Sequence, residues 1–365
     1  MLPADALHVL FVADSAILDR FAPMIRHLGL ALSEADVSVS LITDDAQAPH
    51  EFAGTPIDAR RVPALTGWRG AWLGSEITSR IENPAGLVHL CGTSALAAVG
   101  RWCATIGLPL AVHVFSEEDV AAVVRSPPRV NYLILAAGER LAALLRRHAI
   151  APPGGVHLSA PVQLASEAAP TNAPPTDHTL GVLLTESDEP AGGARLLLDA
   201  VAQARARGVE LQAGFVGHGA RQHRAWQEAR RRGLQELTSF VDAPRLWPQL
   251  LTGFDALVVA TRSARIELAP LMAMAIGKLV IASRDQADEW FIDGVTARLF
   301  APGDPRGLAD ELVRAAARDD QNAALRQSAQ AYVRRSHAVS ACAHRLCGVY
   351  RAISHPPAAA VWSTA

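Results

Sequence analysis

The chain has 365 residues, half of them hydrophobic and 19% charged, a composition that excludes disorder over most of its length and overfills a single ordinary core, so two α/β domains are expected. Lys plus Arg number 34 and Asp plus Glu 36, a formal net charge of −2; no global field recruits nucleic acid or an anionic membrane, and partners belong to local sites. No stretch reaches the ~18 apolar residues of a transmembrane helix, and Cys91, Cys103, Cys342 and Cys347 lack metal-type spacing and read as reduced thiols of a cytoplasmic protein.

The chain opens on Leu7 to Ala13, an apolar run without a basic leader, which reads as a strand and not as a signal peptide. An amphipathic segment, Ala22 to Leu32, and a β-branched run, Val37 to Ile42, complete a βαβ unit. Leu87 to Leu90, Leu110 to Val114 and Tyr132 to Leu135 are further short apolar runs separated by helical patterns, Ala95 to Ile106 being the clearest. Residues 1–150 thus form a doubly wound parallel domain. Between Ala151 and Asp177 the composition turns to Pro, Ala, Ser and Thr, which marks an interdomain linker over 151–177.

A second alternation spans 178–335: strand Thr179 to Leu184, helix Ala194 to Arg207, strand Leu211 to Val216, helix Arg221 to Arg232 and strand Ala256 to Val259. From Pro270 to Asp304 a small-residue helix, Leu271 to Ile276, is stopped by Gly277. A buried strand, Leu279 to Ala282, follows, then a polar loop, a short helix, a turn at Asp293-Gly294 and a second strand ending in Pro302-Gly303-Asp304. Helical patterns at Pro305 to Ala317, Ala323 to Arg335 and His344 to Ile353 close the chain, and the last part, 336–365, is expected to pack back on the first domain.

The order of that tract, with Gly214-Phe-Val-Gly-His-Gly219, Leu237 to Phe240, Phe254 to Val259, Asp293-Gly294-Val295-Thr296 and Pro302 to Pro305, resembles the donor half of retaining glycosyltransferases of family 4. The resemblance implies a GT-B fold, two Rossmann-like domains facing a cleft with the acceptor side in the first and the donor side in the second. It implies a metal-independent enzyme that takes a nucleotide sugar as substrate, needs no cofactor, and glycosylates a glycan, lipid or small-molecule acceptor.

The same resemblance singles out residues, several with altered chemistry. The Arg and Lys that neutralise the donor diphosphate fall near Ser187 and Gly192, within an acid-bearing stretch, Leu184 to Gly193. Arg262 or Arg265, after strand Ala256 to Val259, is the expected replacement, and Arg195 is a further candidate that also reads as part of a solvated helix face. Of the two donor-helix glutamates, one position is Ala264 and the other Met272, so Glu267 is the nearby carboxylate, either capping the helix that Pro270 opens or contacting the sugar.

The usual Gly-Gly turn is replaced within Asp285-Gln-Ala-Asp-Glu289, which keeps its acid as Glu289, and Gly217 and Gly219 form the glycine turn that approaches the nucleotide. His113 resembles the acceptor-side histidine with an offset of two residues, and His89 with Cys91 a His-x-His pair; both histidines also read as hydrogen-bonded core residues at strand ends. The loop after the first strand, Ala13 to Ile17, has no glycine. The expected catalytic residues are therefore His113 and Glu267, with Gly217, Gly219, Arg262, Arg265, Met272 and Glu289 binding the donor. A non-catalytic GT-B homologue serving as a partner subunit or binding module is the alternative, and nucleotide-sugar epimerisation a third.

Overall fold

The computed structural model describes residues 7–63, 65, 76–77, 79, 85–148, 156–158, 160–162, 179–184, 192–216, 219–241, 247–260, 266–285, 289–317 and 319–354. Its contacts divide the chain into two units, one of residues 1–161, 264–266 and 337–365, the other of residues 162–263 and 267–336. Most of the Pro-rich segment between 151 and 177 lies outside the described residues.

In the first unit β1 (His8–Ala13), β2 (Ser38–Thr43), β3 (Ile57–Arg61), β4 (Leu87–Cys91), β5 (Leu110–Val114), β6 (Tyr132–Ala136) and β7 (Val156–His157) form one sheet in the order β3-β2-β1-β4-β5-β6-β7. Every pairing is parallel. β1, β4 and β5 are buried at every position, as expected of central strands covered on both faces. The intervening helices are α1 (Ser15–Ser33), α2 (Ala48–Glu51), α3 (Leu96–Ile106), α4 (Glu117–Arg125) and α5 (Glu139–Arg147).

α1 begins two turns before the sequence pattern suggests, because Asp14 caps it by accepting from the Ile17 N–H at 2.8 Å. Pro23 lies inside the helix and does not open it. From the chain's end α12 (Val339–Ser354) packs against α1, and its Cys342, Leu346, Cys347 and Tyr350 are buried.

In the second unit β8 (Leu180–Leu184), β9 (Leu211–Val216), β10 (Thr238–Val241), β11 (Ala256–Val259), β12 (Leu279–Ser283) and β13 (Arg298–Phe300) form a parallel sheet in the order β10-β9-β8-β11-β12-β13. The helices are α6 (Gly192–Ala206), α7 (Gly219–Arg231), α8 (Trp247–Thr252), α9 (Ala269–Ala275), α10 (Pro305–Ala316) and α11 (Asp320–Ser336). Leu197, Leu198, Val201, Val182, Val258, Ile281, Leu308 and Leu312 are each fully enclosed and join α6, α10 and the sheet into one core.

Gly277 stops α9 with φ +73°, the left-handed conformation that a Cβ resists. Part of the short helix expected between β12 and β13 lies outside the described residues, at 286–288. Leading into β13, the Thr296 hydroxyl accepts from the Ile292 N–H at 2.8 Å and donates to the Trp290 carbonyl, a side-chain turn that competes with a helical ladder.

A buried polar knot secures the end of this unit. Asn322 Oδ1 accepts from Arg298 Nη2 at 2.8 Å and Nε at 3.2 Å, while its Nδ2 donates to the Arg314 and Ala317 carbonyls at 2.8 and 2.5 Å. Glu311 lies 3.6 Å from the same guanidinium, and burial pushes its carboxyl upward against the opposing pull of Arg314 and Arg298. The knot ties β13, α10 and α11 together.

Candidate functional site

Both sheets carry the strand order in which chain direction across the sheet reverses between the first strand and its neighbour. Ligands of such folds bind outside the carboxyl ends of the strands at that switch. In the first unit the switch lies between β1 and β4. Asp44 Oδ1 accepts from the Ser15 N–H at 2.7 Å, which holds the end of β2 to the start of α1. Gly92 follows β4 with φ +77°, and a Cβ there would lie 2.9 Å from Ile17 Cδ1, so this glycine lets the first turn of α1 approach closely.

Asp119 unites the neighbouring loops. It accepts from Thr93 Oγ1 at 2.6 Å and from the Phe115 N–H at 3.0 Å, while its own N–H is capped by Ser116 Oγ at 3.0 Å. Ile266 belongs to this unit too; its N–H donates to the Phe115 carbonyl at 2.7 Å.

His113, one residue before the end of β5, is completely enclosed. Its ring packs 4.2 Å from that of Phe115, and Phe115 stacks on Phe21 of α1 at 4.3 Å. His113 Nδ1 lies 3.3 Å from His89 Nε2, and His89 Nδ1 lies 2.5 Å from the Tyr350 hydroxyl of α12. His113 Nε2 has no hydrogen-bond partner among the described residues.

Burial lowers the His89 imidazole to about 3, and burial followed by the charge of His89 lowers His113 well below its ordinary value. Both rings are therefore neutral at physiological pH. Burial also raises the Tyr350 hydroxyl and the Cys91 thiol, the latter with help from Asp14. Cys91, Cys103, Cys342 and Cys347 are all free and buried, a poor setting for thiolate chemistry.

In the second unit the loops after β8 and β11 flank the switch, and residues 185–191 and 261–265 lie outside the described residues. The expected phosphate residues Arg262 and Arg265, the glycine Gly217, and Ser187 and Ala264 fall there or in the gap at 217–218. Gly219 is the first residue of α7. Glu267 is half-buried and immediately precedes Leu268, the N-cap of α9, whose Pro270 sits in the first turn. Met272 is half-buried on α9 between the fully enclosed Leu271 and Ala273.

Glu289 is half-buried near Tyr332 of α11, whose hydroxyl is raised first by burial and then by the Glu289 charge. Asp293 fixes the turn into β13: Arg284 Nη2 donates to it at 2.8 Å and the Leu299 N–H at 3.1 Å. Glu267, Met272 and Glu289 thus share the second unit, whereas His113 belongs to the first. Gly92, Asp119 and Tyr350 were not anticipated from sequence; Gly92, following a buried strand in Cys91-Gly92-Thr93, gave the one local signal. Among the described residues no His, Cys, Asp and Glu cluster could hold a metal ion, and no helix is long and apolar enough to cross a membrane.

Two parallel Rossmann-like sheets of this kind define the GT-B class of fold. Residues 180–318, nearly all of them in the second unit, match the family model Glycosyl transferases group 1. Solved structures agree over nearly the whole chain. A glycosyltransferase from Rickettsia africae ESF-5 is similar with a TM-score of 0.73 at 14% identity, covering 97% of this chain and 100% of its own.

Anabaena HepE, solved in complex with UDP and glucose, is similar with a TM-score of 0.73 at 18% identity, covering 94% of this chain and 99% of its own. Sucrose-phosphate synthase from Thermosynechococcus elongatus is similar with a TM-score of 0.70 at 17% identity, covering 94% and 98%. No curated protein matches the chain by sequence.

Proposed function

We propose that this protein transfers a sugar from a nucleotide-sugar donor, with UDP as the nucleotide, to a glycan, lipid or small-molecule acceptor, with retention at the anomeric carbon and without a metal. The observation that carries the proposal is the match of residues 180–318 to Glycosyl transferases group 1. The choice of UDP rests on the similar HepE, which was solved with UDP and with UDP-glucose. In this reading Glu267 and Glu289 accept hydrogen bonds from donor hydroxyls, and the backbone at Gly217 and Gly219 lies against the nucleotide. Arg262 and Arg265 neutralise the departing diphosphate, Met272 packs against the donor, and His113 serves the acceptor side.

The resemblance supports a second reading, a non-catalytic homologue: it places Met272 of α9 at the position of a donor-helix glutamate, and a thioether is at best a weak acceptor for a ribose or sugar hydroxyl. Incubation of the full chain with a panel of UDP-sugars and an acceptor array, read by mass spectrometry, separates the two. Transfer is expected from at least one UDP-sugar, with a drop of about a hundredfold in Glu267→Gln if that carboxylate contacts the transferred sugar, on the scale of a lost transition-state contact. A folded chain that neither transfers nor hydrolyses any donor contradicts the enzymatic reading and leaves the binding module.

A further inference from the structure

The buried pair His89 and His113 and the hydroxyl of Tyr350 form a chain whose protons have only one consistent arrangement. Burial keeps both imidazoles neutral, so each carries one proton. The Tyr350 hydroxyl is fully enclosed, and among the described residues its acceptor is His89 Nδ1, at 2.5 Å. If the hydroxyl proton points there, His89 holds its own proton on Nε2 and donates it to His113 Nδ1 at 3.3 Å, which leaves the His113 proton on Nε2. The reverse arrangement strands the tyrosine proton as well as His113 Nε2, and so leaves one more buried group unsatisfied.

We propose that Tyr350 and His89 are positioning residues that lock His113 in its Nε2–H tautomer, so that His113 meets a ligand oxygen as a hydrogen-bond donor and not as a base. This deepens the assignment of His113 to the acceptor side and rests on that reading for the ligand. The lock itself rests on the burial of the three side chains and their hydrogen-bond geometry. Of the three linked side chains, His113 Nε2–H is the polar atom without a partner among the described residues, and a hydroxyl or phosphoryl oxygen would satisfy it. A tyrosine on the last helix thereby decides which face of a histidine's chemistry the β5 end presents.

The test uses the full-length protein labelled with 15N-histidine and long-range 1H–15N correlation spectra, with His89→Gln and His113→Gln identifying the two rings. In the unsubstituted protein both rings should show a bare Nδ1 and a protonated Nε2. In Tyr350→Phe, His89 loses its donor, and both rings should shift toward a mixture of tautomers while the far-ultraviolet circular dichroism stays native. A His113 ring that carries its proton on Nδ1 in the unsubstituted protein overturns the lock whatever the variant does, and so does a tautomer unmoved by Tyr350→Phe.

Turnover tests the donor role separately. His113→Gln, which keeps an N–H donor, should retain at least tenfold more transfer than His113→Leu, with the pH profile unchanged in shape; equal activities overturn the donor role. A chain with the predicted spectra but no turnover of any nucleotide sugar overturns the transfer reading and the part given to His113 in it, while the lock stands.

Discussion

At the scale of single residues, the two enclosed histidines make stability depend on pH in a definite direction. Burial holds His89 near 3, against 6.5 for an ordinary imidazole, and holds His113 low as well. The unfolded chain therefore takes up protons near pH 6.5 that the folded chain refuses. The contribution is fully present above that pH and is lost as pH falls below it; for His89 the loss runs toward pH 3 at about 1.4 kcal/mol per pH unit. Urea unfolding should show a lower midpoint at about pH 5 than at about pH 7.5, and a shallower dependence in His89→Gln. An identical dependence in the variant would show that His89 is not the group responsible.

Gly92 gives a second test at this scale. Its φ of +77° and the 2.9 Å approach of Ile17 Cδ1 to a would-be Cβ combine strain with overlap. Gly92→Ala should cost about 2 kcal/mol in denaturant unfolding. A loss below about 0.5 kcal/mol would mean that the first turn of α1 adjusts freely.

Among elements, the knot around Asn322 matters more to the second unit than any surface ion pair. Asn322→Ala would leave the Arg298 guanidinium, 7% exposed, without its two hydrogen bonds to Oδ1, and would strip the Arg314 and Ala317 carbonyls of their donor. The expected loss is about 3 kcal/mol, the scale of a broken buried network. The exposed pair Arg146 and Glu139 should contribute less than about 1 kcal/mol when removed. Chemical unfolding of the two variants side by side checks the ranking, which a larger loss at Arg146 would reverse.

The elements also show what the sequence could and could not reveal. β5, β9 and β11 have the bounds read from their apolar, β-branched runs, because a central parallel strand must be apolar on both faces. β3 escaped notice because Ile57-Asp-Ala-Arg-Arg61 is an edge strand with one buried residue. The first turns of α1 were hidden by Pro23, which resembles a helix start.

The candidate site was legible only in part. The glycine turns and the helix-strand tract carry local signals, and Glu267, Met272 and Glu289 could be placed from them. The Tyr350 to His89 contact spans 261 residues, and no periodicity reports a partner that far along the chain.

For the whole molecule, fold and chemistry point in different directions at single positions. Two Rossmann-type units, the second matching the Glycosyl transferases group 1 model over residues 180–318, supply a scaffold on which the proposed nucleotide-sugar chemistry depends. In the proposed reading, the resemblance places Met272 and other residues where diphosphate cations and donor-helix glutamates are expected. The account requires that these replacements still leave a nucleotide site. Calorimetric titration of the full chain with UDP, set against ADP, GDP and CDP, asks this most directly. Saturable binding of UDP at one site per chain, tighter than the other nucleotides and weakened at least tenfold by Arg262→Ala or Arg265→Ala, is the predicted result. A folded chain that binds none of the four would contradict the account.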